Sequence, residues 1–232
     1  MTWVYIGQDE NGNILLTSRE TTAFTMTIAG QDGWATGPNN MDTLCNKLYG
    51  NSKYGTARNM KVEDVNRTLG YTGPKGTYWD ADDNQVTTEE AMTFGAIETA
   101  TGVTISDRQT PRLSETAFED YLSNDYSYRG TTYKANTTDE YKLIFNKENS
   151  TTKLPIYWLS SPAAAFYVSY EFAGFNVRDV ASGSVGASAV FDSDGNELGE
   201  EPSYALRPVI VLKSNIHFGE PNANGELTLV EF

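Results

Sequence analysis

Between Phe172 and Gly195 the chain is patterned like a β-strand pair yet holds very little bulk. In FAGFNVRDVASGSVGASAVFDSDG the aliphatic residues larger than alanine are Val177, Val180, Val185 and Val190, and glycine, alanine, serine and aspartate fill most of the remainder. A half-buried strand is normally written with β-branched and aromatic residues on its inward face. Side chains this small make little core by themselves, although bulky residues are plentiful elsewhere in the chain. Strand parity also breaks within the stretch. Phe175 and Val177 fall on one face and Val180 on the other, which implies a bulge near Arg178–Asp179.

The surrounding sequence reads as one α+β domain over residues 1–232, with short irregular helices around small antiparallel sheets. WVYIG and NILLTS flank Asn11-Gly12, a strong hairpin signal, and TAFTMTI reads as a third strand. NNMDTLCNKLYG predicts a short helix capped by Asn39 or Asn40, with Met41, Leu44 and Leu48 on its apolar stripe and Gly50 at its stop. Further helices are expected over 62–70, 87–102, 114–125 and 137–147. From Ile156 the texture turns to strands: IYWLS, FNVRDV, GSVGASAVF and ALRPVIVL alternate with Gly/Ser/Asp-rich turns. Residues 1–155 thus form the hairpin and helical part, and 156–213 a β-rich core.

Composition excludes several function classes. Seventeen Lys+Arg against 31 Asp+Glu leave a net charge of −14, which repels phosphate backbones and anionic lipid, so no nucleic-acid partner is expected. No apolar run approaches the ~20 residues of a membrane helix, so no membrane insertion is expected either. The start MTWVYIGQ lacks the basic and apolar regions of a secretory signal, and none is expected there. The single cysteine, Cys45, excludes an internal disulfide and a cysteine-based zinc cluster.

Motifs with chemical potential read mostly as structure. The lone histidine, His217, has no G-x-S-x-G elbow and reads as a structural or surface residue, so no catalytic residue is assigned. DADDN (80–84) opens like a calcium loop, but Gln85 stands where that loop needs glycine and Ala91 where it needs a bidentate glutamate. DADDN, DSDGNE (192–197) and GEPN (219–222) are read as turns, and no metal ligand or cofactor is assigned. The sequons at Asn66, Asn136 and Asn149 are at the level expected by chance in a Thr-rich chain. Arg178 and Arg207, embedded among valines, are expected to form partly buried ion pairs or to donate to backbone carbonyls.

The order YWLSS, F-x-VR-x-V, G-x-V, DSDG, ALRPVIVL resembles the C-terminal core of C-type-lectin-fold proteins of bacteria and phages, among them variable proteins diversified by retroelements. Formylglycine-generating enzymes share that fold. LCNKLYGNSKYGTARNMKVEDVNRTLGY is similar to the N-terminal part of members from gut bacteria and their phages, so the resemblance covers about residues 41–72 and 156–213. It implies a C-type lectin-like fold of the formylglycine-generating-enzyme-like subtype. Its framework would be Trp158, Leu159, Phe175, Val177, Arg178, Val180, Gly183, Val185, Gly195, Arg207, Pro208 and Val209. Residues between framework positions would be displayed and free of packing demands, which accounts for the small side chains.

A count points the same way. Retroelement diversification in this family acts on AAY codons, and NNY codons cannot encode Glu, Lys, Gln, Met or Trp. Those types make up 39 of 232 residues, so about six are expected in a 38-residue window, yet Leu159–Asn196 holds one, Glu171. Strand- and turn-rich segments are also poor in Lys, Glu and Gln for ordinary reasons.

The resemblance therefore implies a non-enzymatic module that recognises a ligand or receptor, a protein or glycan on a cell surface, and is displayed on a phage tail or bacterial surface. Its site would span about 163–194, with Phe166, Tyr167, Ser169, Tyr170, Phe172, Asn176, Asp179, Ser182, Ser184, Ser188, Phe191 and Asp192 as contacts. Tyrosine and phenylalanine supply rigid contact area at low entropic cost. An ordinary core reading of AFYVSYEF would instead turn Phe166, Val168, Tyr170 and Phe172 inward. Two rivals remain at this level. One is a structural virion or pilus domain using the same strands for subunit contacts. The other is a formylglycine-generating-type enzyme, whose chemistry requires two cysteines where this chain has one.

Overall fold

The computed structural model describes residues 2–69, 77–79, 85–87, 126–128, 131–133, 139–145, 156–167, 172–181, 184–192, 201–220 and 229–231. Strands β1 (Trp3–Gln8) and β2 (Ile14–Ser18) form the expected Asn-Gly hairpin. Gly12 takes φ 77°, and Asp9 closes the loop through Oδ1, which accepts from the Asn11 and Asn13 N–H groups at 2.9 Å. β3 (Thr25–Thr27) is the third strand expected in TAFTMTI. Strand β4 (Gly55–Asn59) and helices α1 (Gly30–Tyr49) and α2 (Val62–Leu69) complete the N-terminal part.

Three short pieces follow. β5 (Thr77–Trp79) pairs with β6 (Gln85–Thr87), and β7 (Tyr126–Tyr128) pairs with β8 (Thr131–Tyr133). α3 (Asp139–Phe145) lies within the helix expected over 137–147. DADDN and the helices expected over 87–102 and 114–125 lie outside the described residues, apart from Thr87, which ends β6.

The C-terminal part is stranded: β9 (Tyr157–Tyr167), β10 (Phe172–Ala181), β11 (Ser184–Asp192), β12 (Ser203–Ala205), β13 (Pro208–Leu212), β14 (Ile216–Phe218) and β15 (Leu229–Glu231). Two sheets organise the chain. One runs β1-β2-β13-β4, so the N-terminal hairpin pairs with a strand from the C-terminal part, and the other runs β11-β10-β9-β12-β3. Pairing is antiparallel throughout both except for the single parallel contact Ala205↔Tyr157. The fold is α+β.

Helix α1 begins ten residues before the expected cap. Gly30, Gly33, Gly37 and Pro38 argue against a helix, and Pro38 removes one N–H from the ladder. Packing supplies the compensation. A Cβ on Gly33 or Gly37 would lie 3.3 or 3.2 Å from Ile28 Cγ2, so any side chain there would have to push Ile28 back by a few tenths of an ångström. Trp34 is fully buried, and its Nε1 donates to the Asn176 carbonyl on β10 at 3.0 Å. Further along, Met41 and Cys45 face inward with Leu44 beside them, whereas Leu48 is 49% exposed and is not part of the stripe.

Two apolar clusters flank the five-stranded sheet. Ile28, Trp34, Met41, Cys45, Trp158, Val177, Val190 and Leu206 pack where α1 lies against β9, β10 and β11. Leu15, Met60, Val65, Ile144, Phe145, Tyr157, Leu159, Val180, Val185 and Val209 form the second, which joins the four-stranded sheet to α2 and α3. Val177 and Val180, three residues apart on one strand, serve opposite faces and different clusters. The inner half of β10 is therefore covered on both sides.

A bulge is present at the level of Arg178–Asp179, but β9 carries it, and β10 keeps its alternation with Val177 and Val180 on opposite faces. Between the pairs Val177↔Pro162 and Asp179↔Trp158, β10 passes only Arg178 while β9 passes Leu159, Ser160 and Ser161. This bulge brings the Ser160 N–H to the Met60 carbonyl at 2.8 Å, and Ser161 Oγ accepts the Val62 N–H at 3.0 Å.

Buried polar groups lock the layers together. Asn59 donates through Nδ2 to the Trp158 carbonyl and accepts the Arg207 N–H at Oδ1, both at 2.8 Å. The fully buried guanidinium of Arg207 donates to the carbonyls of Ser18, Ile144 and Arg19 at 3.2, 3.1 and 3.0 Å, and its Cζ sits 5.2 Å from the Tyr157 ring centroid. Of the two roles expected of it, an ion pair or donation to carbonyls, Arg207 takes the second. Asp64, also buried, receives Arg58, Arg67 and the Lys61 N–H.

Candidate recognition surface

The meander β9–β10–β11 contains most of the sequence-predicted contacts and separates them along its length. At one end Tyr167 pairs with Phe172 and Phe166 with Ala173; Phe191 pairs with Phe175, and Asp192 with Gly174. Backbone register thus gathers Phe166, Tyr167, Phe172, Phe191 and Asp192 within a few rungs of one hairpin end. Ser169 and Tyr170, in the connection between the two strands, lie outside the described residues.

Ser184 belongs to the other end, paired with Ala181, and Ser182 lies outside the described residues. Nine residue steps along β10 at ~3.3 Å each place the two ends about 30 Å apart. Ser182 and Ser184 do not share a patch with Tyr167 and Phe172.

Asn176 and Asp179 correct the expectation more sharply. They are 6% and 4% exposed, so neither is displayed. The expectation left residues between framework positions free of packing demands, whereas both faces of β10 are covered at these positions. Asn176 offers its carbonyl to Trp34, and its Oδ1 is buried with no hydrogen-bond partner among the described residues.

Ser188 is half-buried and engaged internally, so it too is corrected from a contact to a structural residue. Its Oγ donates to Asp179 Oδ2 at 2.8 Å and lies 3.0 Å from the Tyr204 hydroxyl. The Tyr204 ring stands 4.5 Å from that of Trp158, whose Nε1 donates to the Met26 carbonyl at 2.7 Å. This thread runs Ser188–Asp179–Trp158–Tyr204–Met26 through β11, β10, β9, β12 and β3, one residue from every strand in sheet order. Tyr204 and Met26 carry no motif that sequence reading could have used; only strand order brings them here.

Electrostatics at the thread follow from its burial. Desolvation pushes the Asp179 carboxyl above the usual aspartate range, opposed by the Ser188 hydrogen bonds and the Arg178 charge. Gly186 faces this carboxyl: a Cβ there would sit 3.5 Å from Oδ1, in ordinary van der Waals contact. Asn176 and Asp179 are thus accounted for by burial, and Ser188 by its internal hydrogen bonds.

Burial pushes the Cys45 thiol up to about 12, with the Asp42 charge adding to the effect, so it is a thiol rather than a thiolate at neutral pH. His217 is exposed on β14. Asn66, of the first sequon, is buried in α2 and closed to modification in the folded chain. Among the described residues no group of His, Cys, Asp and Glu could hold a metal ion, and no helix is long and apolar enough to cross a membrane. No family model, no curated protein and no solved structure matches the chain.

Proposed function

We propose that this chain is a non-enzymatic recognition module with a C-type lectin-like fold, displayed on a phage tail or bacterial surface. It binds a protein or glycan through the outer end of the β9–β10–β11 meander. Phe166, Tyr167, Ser169, Tyr170, Phe172, Phe191 and Asp192 form the contact set; Asn176, Asp179 and Ser188 are removed from it because they hold the sheet together.

The observation that supports this reading is the fate of the framework positions. Trp158, Leu159, Val177, Val180, Val185, Arg207, Pro208 and Val209 are all buried, and Arg178 is half-buried. A frame locked by apolar packing and by the Asn59 and Arg207 hydrogen bonds leaves the hairpin end free to change composition. The scarcity of Glu, Lys, Gln, Met and Trp across Leu159–Asn196 fits the same history of diversification.

An alanine scan of 163–194, scored for melting temperature and for binding to glycan arrays and linear peptide libraries, tests the reading. Tyr167→Ala and Phe172→Ala should weaken binding by about tenfold or more with melting temperature nearly unchanged. Uniform destabilisation along the outer end would make it ordinary core and end the proposal. A neighbouring reverse transcriptase gene with a near-identical template repeat would support diversification.

A further inference from the structure

The two sheets treat their edges differently. β4 has its outward N–H groups capped by α1: Ala57 N–H donates to Asn46 Oδ1 at 2.9 Å and Asn59 N–H to Asp42 Oδ1 at 3.0 Å. β3 is three residues long, and β1 shifts register between Tyr5 and Gly7, where the Arg67 side chain of α2 lies against it. These are ordinary ways of blunting an edge.

Among the described residues β11 has none of them. It runs nine residues, Ser184–Asp192, and borders the five-stranded sheet with β10 as its single neighbour. It contains no proline, lysine or arginine, and its only charge is Asp192 at its end. Among the described residues no backbone hydrogen bond reaches its outer side. A long edge of small residues with one charge at its end is a template for a further strand.

We propose that the outer edge of β11 docks an extended segment of a protein partner as a sixth strand, and that this segment is basic. The proposal rests on the recognition reading above and narrows its ligand to a polypeptide, since a glycan has no backbone ladder to pair with. Charge selects the partner: besides the buried Asp179, the stretch between Arg178 and Arg207 has five carboxylates and no lysine or arginine. A second copy would bring together two chains of −14 each, which disfavours self-pairing.

The test uses the whole chain and a library of linear peptides about 12 residues long, the length of one strand and its flanks. Selected binders should be rich in Lys and Arg, lose affinity as salt rises, and slow hydrogen exchange at the β11 amides. A strand added to an edge uses the N–H groups of alternate residues only. N-methylation at one parity of a selected peptide should therefore weaken binding by about tenfold or more, and at the other parity change it by less than about twofold. Equal loss at both parities overturns the edge-pairing mode. Protection elsewhere in 163–194 but not at β11 refutes the docking strand while leaving the recognition reading intact. Failure to select any peptide or glycan that protects 163–194 removes both. Concentration-dependent dimerisation that protects β11 without peptide overturns the choice of partner in favour of a second copy.

Discussion

Ser188→Ala distinguishes a displayed serine from one that holds a buried carboxylate. A displayed serine could be truncated within ~0.5 kcal/mol. In the structure its hydroxyl is instead a direct donor to Asp179, a side chain only 4% exposed. A hydrogen bond to an ionised acceptor contributes about 1.5–3 kcal/mol, so the variant should lose roughly 2 kcal/mol at about pH 7. For a chain of this size that corresponds to a fall of about 4–8 °C in melting temperature.

The loss should depend on pH. Burial raises the folded pKa of Asp179 above its unfolded value, so its neutral form contributes stability that is fully present below the unfolded pKa and is lost as pH rises through the folded one. The Ser188 bond favours the charged form and limits that loss. Its removal should cost most at neutral pH and progressively less as acid protonates the carboxyl. Denaturant melts of wild type and variant at about pH 7 and about pH 4.5 measure the difference. A cost below ~0.5 kcal/mol at neutral pH, or one that does not shrink in acid, would refute the buried thread.

Tyr204→Phe should cost less, about 0.5–1 kcal/mol by denaturant melt, because Asp179 keeps its Ser188 donor. Trp158→Ala should cost about 3–5 kcal/mol, since it empties a fully buried site and removes the donor to the Met26 carbonyl; an unchanged melting temperature would take Trp158 out of the core. Asn59→Ala should lose about 2–5 kcal/mol by leaving both the Trp158 carbonyl and the Arg207 N–H unpaired. Cys45 should resist a thiol reagent at about pH 8 in the native chain and react once denaturant opens the core; rapid native labelling would contradict its burial.

Local rules were enough for elements whose stability is mostly local. The Asn11-Gly12 hairpin needs only a turn that tolerates positive φ between two apolar runs, and α2 and α3 fall where apolar periodicity places them. Arg207 was readable as a donor to carbonyls because an arginine flanked by apolar residues has few other ways to be buried.

The beginning of α1 was not readable in this way. Gly33, Gly37 and Pro38 contradict a helix by propensity, and only Ile28 in the groove they leave and Trp34 against β10 make it stable. Tertiary structure also decided the candidate site. Alternation along β10 shows which residues share a face, but whether a face meets water depends on what packs over it. With α1 on one side and the second cluster on the other, Asn176 and Asp179 are interior residues, and Ser188 is a strut between strands. A sequence lists side chains in order along one dimension; the α1 layer that covers one face of β10 comes from residues more than a hundred positions away, and that distance is what its pattern cannot express.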